Sequence, residues 1–167
     1  TYNEMGRLAS TTVTTYDTNS VQLSQVVTEY AYDSSGLRIT ETTTTDGGTP
    51  EVKSFLFDTR SLTGVAQVLE EYVNAAIKHV FTIGHDVIAQ TDVTDPQAPA
   101  SFTLLSDGHG STRALLSAAN TLAQQYAYDA YGNMLAGTGL TTAATALTSI
   151  LYSGQWTMKS GQQYLRA

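Results

Sequence analysis

The feature that most constrains this chain is a turn signal that recurs with an aromatic residue in front of it. Tyr2-Asn3-Glu4-Met5-Gly6-Arg7-Leu8, Tyr32-Asp33-Ser34-Ser35-Gly36-Leu37-Arg38 and Tyr128-Asp129-Ala130-Tyr131-Gly132-Asn133 each set Tyr before Asp or Asn, with a Gly three residues further on. Phe57-Asp58 is a degenerate copy. In such a unit the aromatic ends a strand and packs, the Asx side-chain oxygen closes the turn, Gly supplies positive φ, and the next strand begins. One hairpin cannot bury its own face. Side-by-side copies bury a continuous one, so the repetition predicts an extended sheet.

Between the turns the chain alternates as strands do. Val26, Thr28, Tyr30 and Tyr32 share one face, the run stops at Asp33-Ser34-Ser35-Gly36, and Leu37 to Thr42 resumes it as a hairpin. The second strand reaches Asp46-Gly47-Gly48, and Val52 to Phe57 returns. The same grammar governs Phe102 to Leu105, a turn at Asp107-Gly108-His109-Gly110, Thr112 to Ser117, a turn at Ala119-Asn120, and Leu122 to Tyr128. Abundant Thr, 10 Tyr and only 3 Pro fit pleated surface. The predicted class is all-β and antiparallel. Residues 64–80 fit two templates: Val65, Val68, Leu69 and Tyr72 have helical spacing, yet two strands meeting at Asn74-Ala75 fit as well. Periodicity leaves both open. The two prolines of Val93 to Pro99 and the Thr/Ala/Gly-rich run Ala136 to Ser149 predict surface loops.

Composition removes several function classes. Eight Lys+Arg against 15 Asp+Glu give a formal charge of −7, so nucleic acid and anionic membranes are unfavourable partners. Without Cys there are no disulfides, thiolates, cysteine zinc sites or iron–sulfur clusters. No run has the sustained bulk of a membrane span. The 167 residues suit one core or one segment of a larger assembly, and the start at Thr1 is read as that of a fragment.

Candidate chemistry is sparse. His85-Asp86 and Asp107 with His109 have metal-ligating or acid–base side chains, but both pairs sit in Gly-flanked turns with no third ligand at a motif spacing. Ser111 lacks the second Gly of a nucleophile elbow, since Arg113 stands there. Asp107 to Gly110 lacks the distant Glu of a calcium loop and the Gly-Lys-Ser/Thr of a phosphate loop. No catalytic, metal or cofactor-binding residue is assigned. Arg7, Arg38 and Arg113 each follow a turn Gly by one to three positions, which leaves two readings open: a shared role across a neighbouring strand, pairing with a turn carboxylate or stacking on a Tyr ring, or ordinary solvated arginines. Trp156, the sole tryptophan, is read as a core anchor.

With these motifs laid out, the chain resembles the YD-repeat, or Rhs, proteins, and its later half resembles the Rhs-associated core region. Three motifs carry the resemblance: Asp107-Gly108-His109-Gly110-Ser111-Thr112-Arg113; Tyr126 to Asn133; and Tyr152-Ser153-Gly154-Gln155 with Gly161-Gln162-Gln163-Tyr164-Leu165-Arg166-Ala167. It is loose over residues 1–60 and tightest over 102–167. It implies antiparallel YD-repeat hairpins forming a curved strip of a hollow β-sheet shell, and decides residues 64–80 for strands. The implied division is YD-repeat hairpins at 1–60, a core-like meander at 61–135, the Thr/Ala/Gly-rich loop at 136–149 and the start of a truncated terminal motif at 150–167.

The resemblance further implies a structural role, not an enzyme: a segment of a secreted or cell-surface shell that encapsulates a C-terminal toxin or other cargo. The partners it implies are the remainder of the same shell and the enclosed cargo, with no nucleic acid and no membrane insertion by this segment. Some members cleave themselves through acidic residues beyond this core; the pattern here stops at Leu165-Arg166-Ala167, so no catalytic residue carries over. The repeat-motif positions expected to matter are Tyr2, Gly6, Arg7, Tyr32, Asp33, Gly36, Arg38, Asp107, Gly108, Gly110, Arg113, Tyr128, Asp129, Gly132, Gly154 and Tyr164. The alternative is an extracellular adhesion or fibre-forming module that self-associates through open strand edges.

Overall fold

The computed structural model describes every residue except 62–63, 159–161 and 165–167. Gly161, Leu165, Arg166 and Ala167 of the last motif therefore lie outside the described residues. The fold is all-β. Ten strands follow one another: β1 (Ser10–Tyr16), β2 (Gln22–Tyr32), β3 (Arg38–Thr45), β4 (Glu51–Asp58), β5 (Gln67–Val73), β6 (Ala76–Ile83), β7 (Val87–Asp92), β8 (Ala100–Ser106), β9 (Thr112–Ser117) and β10 (Leu122–Gln125). They hydrogen-bond in chain order in one sheet, with β1 and β10 at its edges. A small second sheet pairs β11 (Trp156–Thr157) with β12 (Gln163–Tyr164). Helix is limited, among the described residues, to two 3-10 turns, Ala143–Thr145 and Tyr152–Gly154.

The stretch that periodicity left open is strand. β5 and β6 flank the Asn74-Ala75 turn, where both residues take positive φ, 49° and 66°. That is the mirror-image hairpin turn whose twist matches its flanking strands. A helix there would have left the ladder donors of the neighbouring strands unpaired.

The chain divides into two compact units, Thr1–Leu56 with Glu70–Lys78, and Phe57–Leu69 with His79–Ala167. In the first unit, β1 to β4 are an antiparallel meander with Thr11 opposite Thr28, Tyr30 opposite Glu41 and Glu41 opposite Lys53. Tyr30, Glu41 and Lys53 thus lie in one row across three strands, on one face. Arg38 is 3.8 Å from Glu41 and Lys53 is 3.8 Å from Glu71, and Phe55 is buried in the same unit.

In the second unit the buried face is mainly apolar, with Gln90 opposite Phe81 as a buried polar residue, and it is covered. Phe81, Leu104 and Leu115 are buried, with Leu104 opposite Leu115 in register. Over them runs the segment after the Thr/Ala/Gly-rich stretch, bringing Ile150, Leu151 and Trp156 down, with Trp156 edge-on to Phe81 at 5.9 Å. Polar anchors place this strap: Gln90 Nε2 donates to the Leu147 carbonyl at 2.8 Å, Gln124 Nε2 to Thr145 at 2.9 Å, and Thr112 Oγ1 to Ile150 at 2.8 Å. Irregular backbone over a sheet face must find such partners, and here it does.

Candidate assembly site

Each Tyr-Asx turn is closed by its own side chain. In residues 33–37 the Asp33 N–H donates to the Leu37 carbonyl at 2.9 Å, Gly36 N–H donates to the Asp33 carbonyl at 3.1 Å, and Leu37 N–H donates to Asp33 Oδ1 at 2.9 Å. Residues 3–7, 107–111 and 129–133 repeat these bonds, each with its glycine (Gly6, Gly110, Gly132) at φ between 72° and 85°. This is a three-residue hairpin loop: a type I turn, then a left-handed residue. The Arg113 side chain, hydrogen-bonded to Asp107, is the main reason that carboxyl lies below the usual range. At Asp129 the Asn133 side chain is the main cause of the same shift.

Two further copies escape a search for Gly. At 17–21 the same bonds form around Asp17, with Ser20 at φ 62° in the place of glycine. At 117–121 Ser117 supplies the side-chain oxygen and Asn120 stands at φ 57°. Tyr16-Asp17 is the signal that could have found the first, hidden because Ser20 replaces Gly. In the degenerate copy Arg60 N–H donates to Asp58 Oδ1 at 2.8 Å.

Turns at the same end of the sheet are linked by arginine and tyrosine. Arg7 of one turn lies over the ring of Tyr32, at the next turn on that end, with Cζ 5.7 Å from the centroid. Tyr32 Oη in return donates to the Leu8 carbonyl at 2.8 Å. In the second unit Arg113 lies over Tyr128 at 5.1 Å, and Tyr128 Oη donates to the Thr112 carbonyl at 2.7 Å. Arg113 Nε also donates to Asp107 Oδ2 at 2.7 Å. Arg38 departs from this pattern: it lies over Tyr30 at 5.2 Å, the tyrosine two residues before its own turn's Tyr32, and faces the strand carboxylate of Glu41.

Glycine is required at Gly36 and Gly132 for a second reason. A Cβ on Gly36 would fall 2.6 Å from Arg7 Nη2, so the arginine occupies the space that the missing side chain leaves. A Cβ on Gly132 would fall 2.5 Å from Tyr152 Cδ1 and would also strike Gln163 Nε2. Tyr152 stands between two turns, with its ring 5.5 Å from His109 and 5.6 Å from Tyr128. Beside it Ser153 Oγ meets His109 Nε2 at 2.7 Å, and Ser153 N–H donates to the Ser111 Oγ at 3.0 Å. Gly154 lies against Gly110, whose carbonyl oxygen would be 3.6 Å from an added Cβ. The three motifs singled out in the sequence therefore meet around Tyr152, which was not among the expected positions.

The remaining expected positions are placed as follows. Gly108 is exposed, its φ is not positive and an added Cβ would meet nothing within 4 Å, so the turn does not require glycine there. Tyr164 pairs with Trp156 across β11 and β12. Tyr2 corrects the packing rule: it bridges Leu8 through the backbone, yet it is 73% exposed. Burial raises the phenols of Tyr126 and Tyr128, which keeps both neutral as packing and hydrogen-bonding groups. Among the described residues no group of three His, Asp or Glu is placed to hold a metal ion, and no helix is long and apolar enough to cross a membrane.

No protein-family model matches the sequence, and no curated protein is found similar to it. Solved structures do share its fold. The crystal structure of TcdB2-TccC3 without the hypervariable C-terminal region aligns over 99% of this chain with a TM-score of 0.65 at 14% identity. The Photorhabdus luminescens Tc holotoxin pore aligns over 99% with a TM-score of 0.63 at 14% identity. A third, TcdB2-TccC3-Cdc42, aligns over 99% with a TM-score of 0.59 at 15% identity. In each case this chain spans 8% of the length of the matched chain.

Proposed function

We propose that this chain is a wall segment of an Rhs-type YD-repeat shell, part of a secreted or cell-surface polypeptide that encloses a C-terminal cargo, and that its role is architectural rather than catalytic. The observation that carries this reading is the linkage between turns: an arginine from one turn lies on the tyrosine of the next, and that tyrosine's hydroxyl returns to the first turn's strand. Such a linkage fixes the lateral spacing of successive hairpins without closing the sheet, which is what a wall needs. The fold shared with toxin-complex chains supports the same reading.

Mass photometry and negative-stain imaging of the full-length parent polypeptide test it. A closed hollow particle that releases a separable C-terminal piece is the expected result. Filaments or surface arrays built through strand edges would overturn it in favour of an adhesive module.

A further inference from the structure

Within the second unit the strap brings a serine hydroxyl onto an imidazole 44 residues away in the chain. Ser153 Oγ lies 2.7 Å from His109 Nε2. The His109 ring is set by Tyr152, with centroids 5.5 Å apart, and its backbone by the bond from His109 N–H to Asp107 Oδ1 at 2.9 Å. With its proton on Nδ1, the neutral imidazole accepts the serine hydroxyl at Nε2. That is the arrangement of a nucleophile and its general base.

The turn itself does not need that hydroxyl. Ser153 stands at φ 54°, ψ 26°, in the left-handed region that favours glycine, and Gly154 follows at φ 64°. Other bonds hold this backbone: Ser153 N–H donates to the buried Ser111 Oγ at 3.0 Å, and Gln155 N–H to the Tyr152 carbonyl at 2.9 Å. A glycine at 153 would keep both bonds and relieve the backbone, so serine adds only a hydroxyl, and that hydroxyl's bond is to His109. A non-glycine residue held in this region points to a role for its side chain. There is also room for a reactant beside it. Ser153 and Gly110 line a cavity of about 150 Å³, walled further by the buried apolar Val87 and Ile150 and by Gln67 and Gln155. Carboxamides are among the donors that stabilise a developing oxyanion, and an apolar wall suits a short acyl chain.

We propose that Ser153 is a covalent modification site, with His109 as its general base, which takes a short acyl group from an activated ester. Ser153 Oγ attacks the ester carbonyl carbon while His109 Nε2 takes the hydroxyl proton. The Oγ–acyl bond forms, the bond to the leaving alcohol breaks, and the departing oxygen carries the proton away from the imidazole. The products are the serine ester and the free alcohol, with no change of oxidation state. The step occurs once per chain, so it places a reactive side chain in an architectural protein and goes beyond the wall reading without resting on it.

Two measurements on the full-length polypeptide test the proposal. The first is labelling with a fluorophosphonate, which phosphonylates activated serines, read residue by residue by mass spectrometry. Ser20 is the internal reference, because it is exposed and left-handed at φ 62° but has no histidine bonded to it. Ser153 should be labelled about 100-fold faster than Ser20, the low end of what a general base supplies. Equal rates overturn the proposal, and because both serines sit in one wild-type molecule no variant has to fold. The second measurement uses p-nitrophenyl acetate on the wild type and on His109→Ala. The wild type should gain an acetyl group on Ser153 as nitrophenolate is released; His109→Ala should lose that gain, and added imidazole should restore it at Ser153. Acetylation of Ser153 that persists in His109→Ala overturns the proposal. A loss that imidazole does not restore overturns the base role and leaves His109 as a packing group on Tyr152. A hollow particle with an inert Ser153 sinks this site and leaves the wall intact.

Discussion

The two units use the same turns to edge very different sheet faces. In the first, the buried face carries charge: Arg38 against Glu41, and Lys53 against Glu71, set among Tyr30 and Phe55. In the second, Phe81, Leu104 and Leu115 make up a mainly apolar face, with the buried Gln90 and His79 set into it, that a strap bearing Ile150, Leu151 and Trp156 covers. The turns are indifferent to this, because their bonds are local and their linkage runs along the ends of the strands. What the difference teaches is that hairpin spacing and face chemistry are separable, so a repeat can hold its architecture while the face changes.

The sharpest way to break the comparison is to remove the strap's anchor. Trp156→Ala should destabilise the second unit by about 3–5 kcal/mol, the range for deleting a buried aromatic. Hydrogen exchange should show protection lost in β6 and β9 while β2 and β3 keep theirs. Equal loss in both units would show that the faces are not separable. The matching change in the first unit is Lys53→Met, which leaves the buried Glu71 without its lysine. A loss of roughly 3 kcal/mol is expected, with the double change Lys53→Met/Glu71→Leu recovering most of it. Urea unfolding of the single and double variants measures both.

Smaller effects address the linkage itself. Tyr152→Leu removes the ring between His109 and Tyr128 and should cost about 1–2 kcal/mol, from two aromatic contacts. Arg113→Lys keeps the charge but loses the planar stack on Tyr128 and should cost about 1 kcal/mol. The same site sets an acid dependence. The Asp107 carboxyl is held below its ordinary value of 3.8 by Arg113, so its contribution is present above that value and is lost as the pH falls through the lowered one. Thermal unfolding followed from pH 7 down through that range should show this slope, and Asp107→Asn should reduce it. The smallest change works in the other direction. Ser20→Gly removes a left-handed non-glycine residue and should stabilise by about 0.5–1 kcal/mol. A loss instead would show that the 17–21 turn is not equivalent to the glycine copies.

Much was readable from residues alone wherever the physics is local. An Asx oxygen that caps two N–H groups and a glycine that accepts positive φ need no distant partner, so the turns at 33–37, 107–111 and 129–133 could be placed from sequence. The strands between them followed from alternation. Tyr16-Asp17 was missed because Ser20 takes the left-handed conformation against its own preference, held there by the surrounding ladder. The β5–β6 hairpin could not be reached by spacing, since Val65, Val68, Leu69 and Tyr72 suit a helix equally well.

By itself, then, the sequence determined an all-β chain of short hairpins, their turn chemistry, and the acidic, cysteine-free character that removes whole classes of function. Only the tertiary structure decided that Tyr152 meets both His109 and Tyr128, that Arg7 belongs to the next turn while Arg38 belongs to its own strand, and that a Thr/Ala/Gly-rich run leads into a strap over Phe81. The reason is range. Turn bonds span five residues, whereas these contacts join residues that the pairing of ten strands brings together, and no spacing along the chain encodes that pairing.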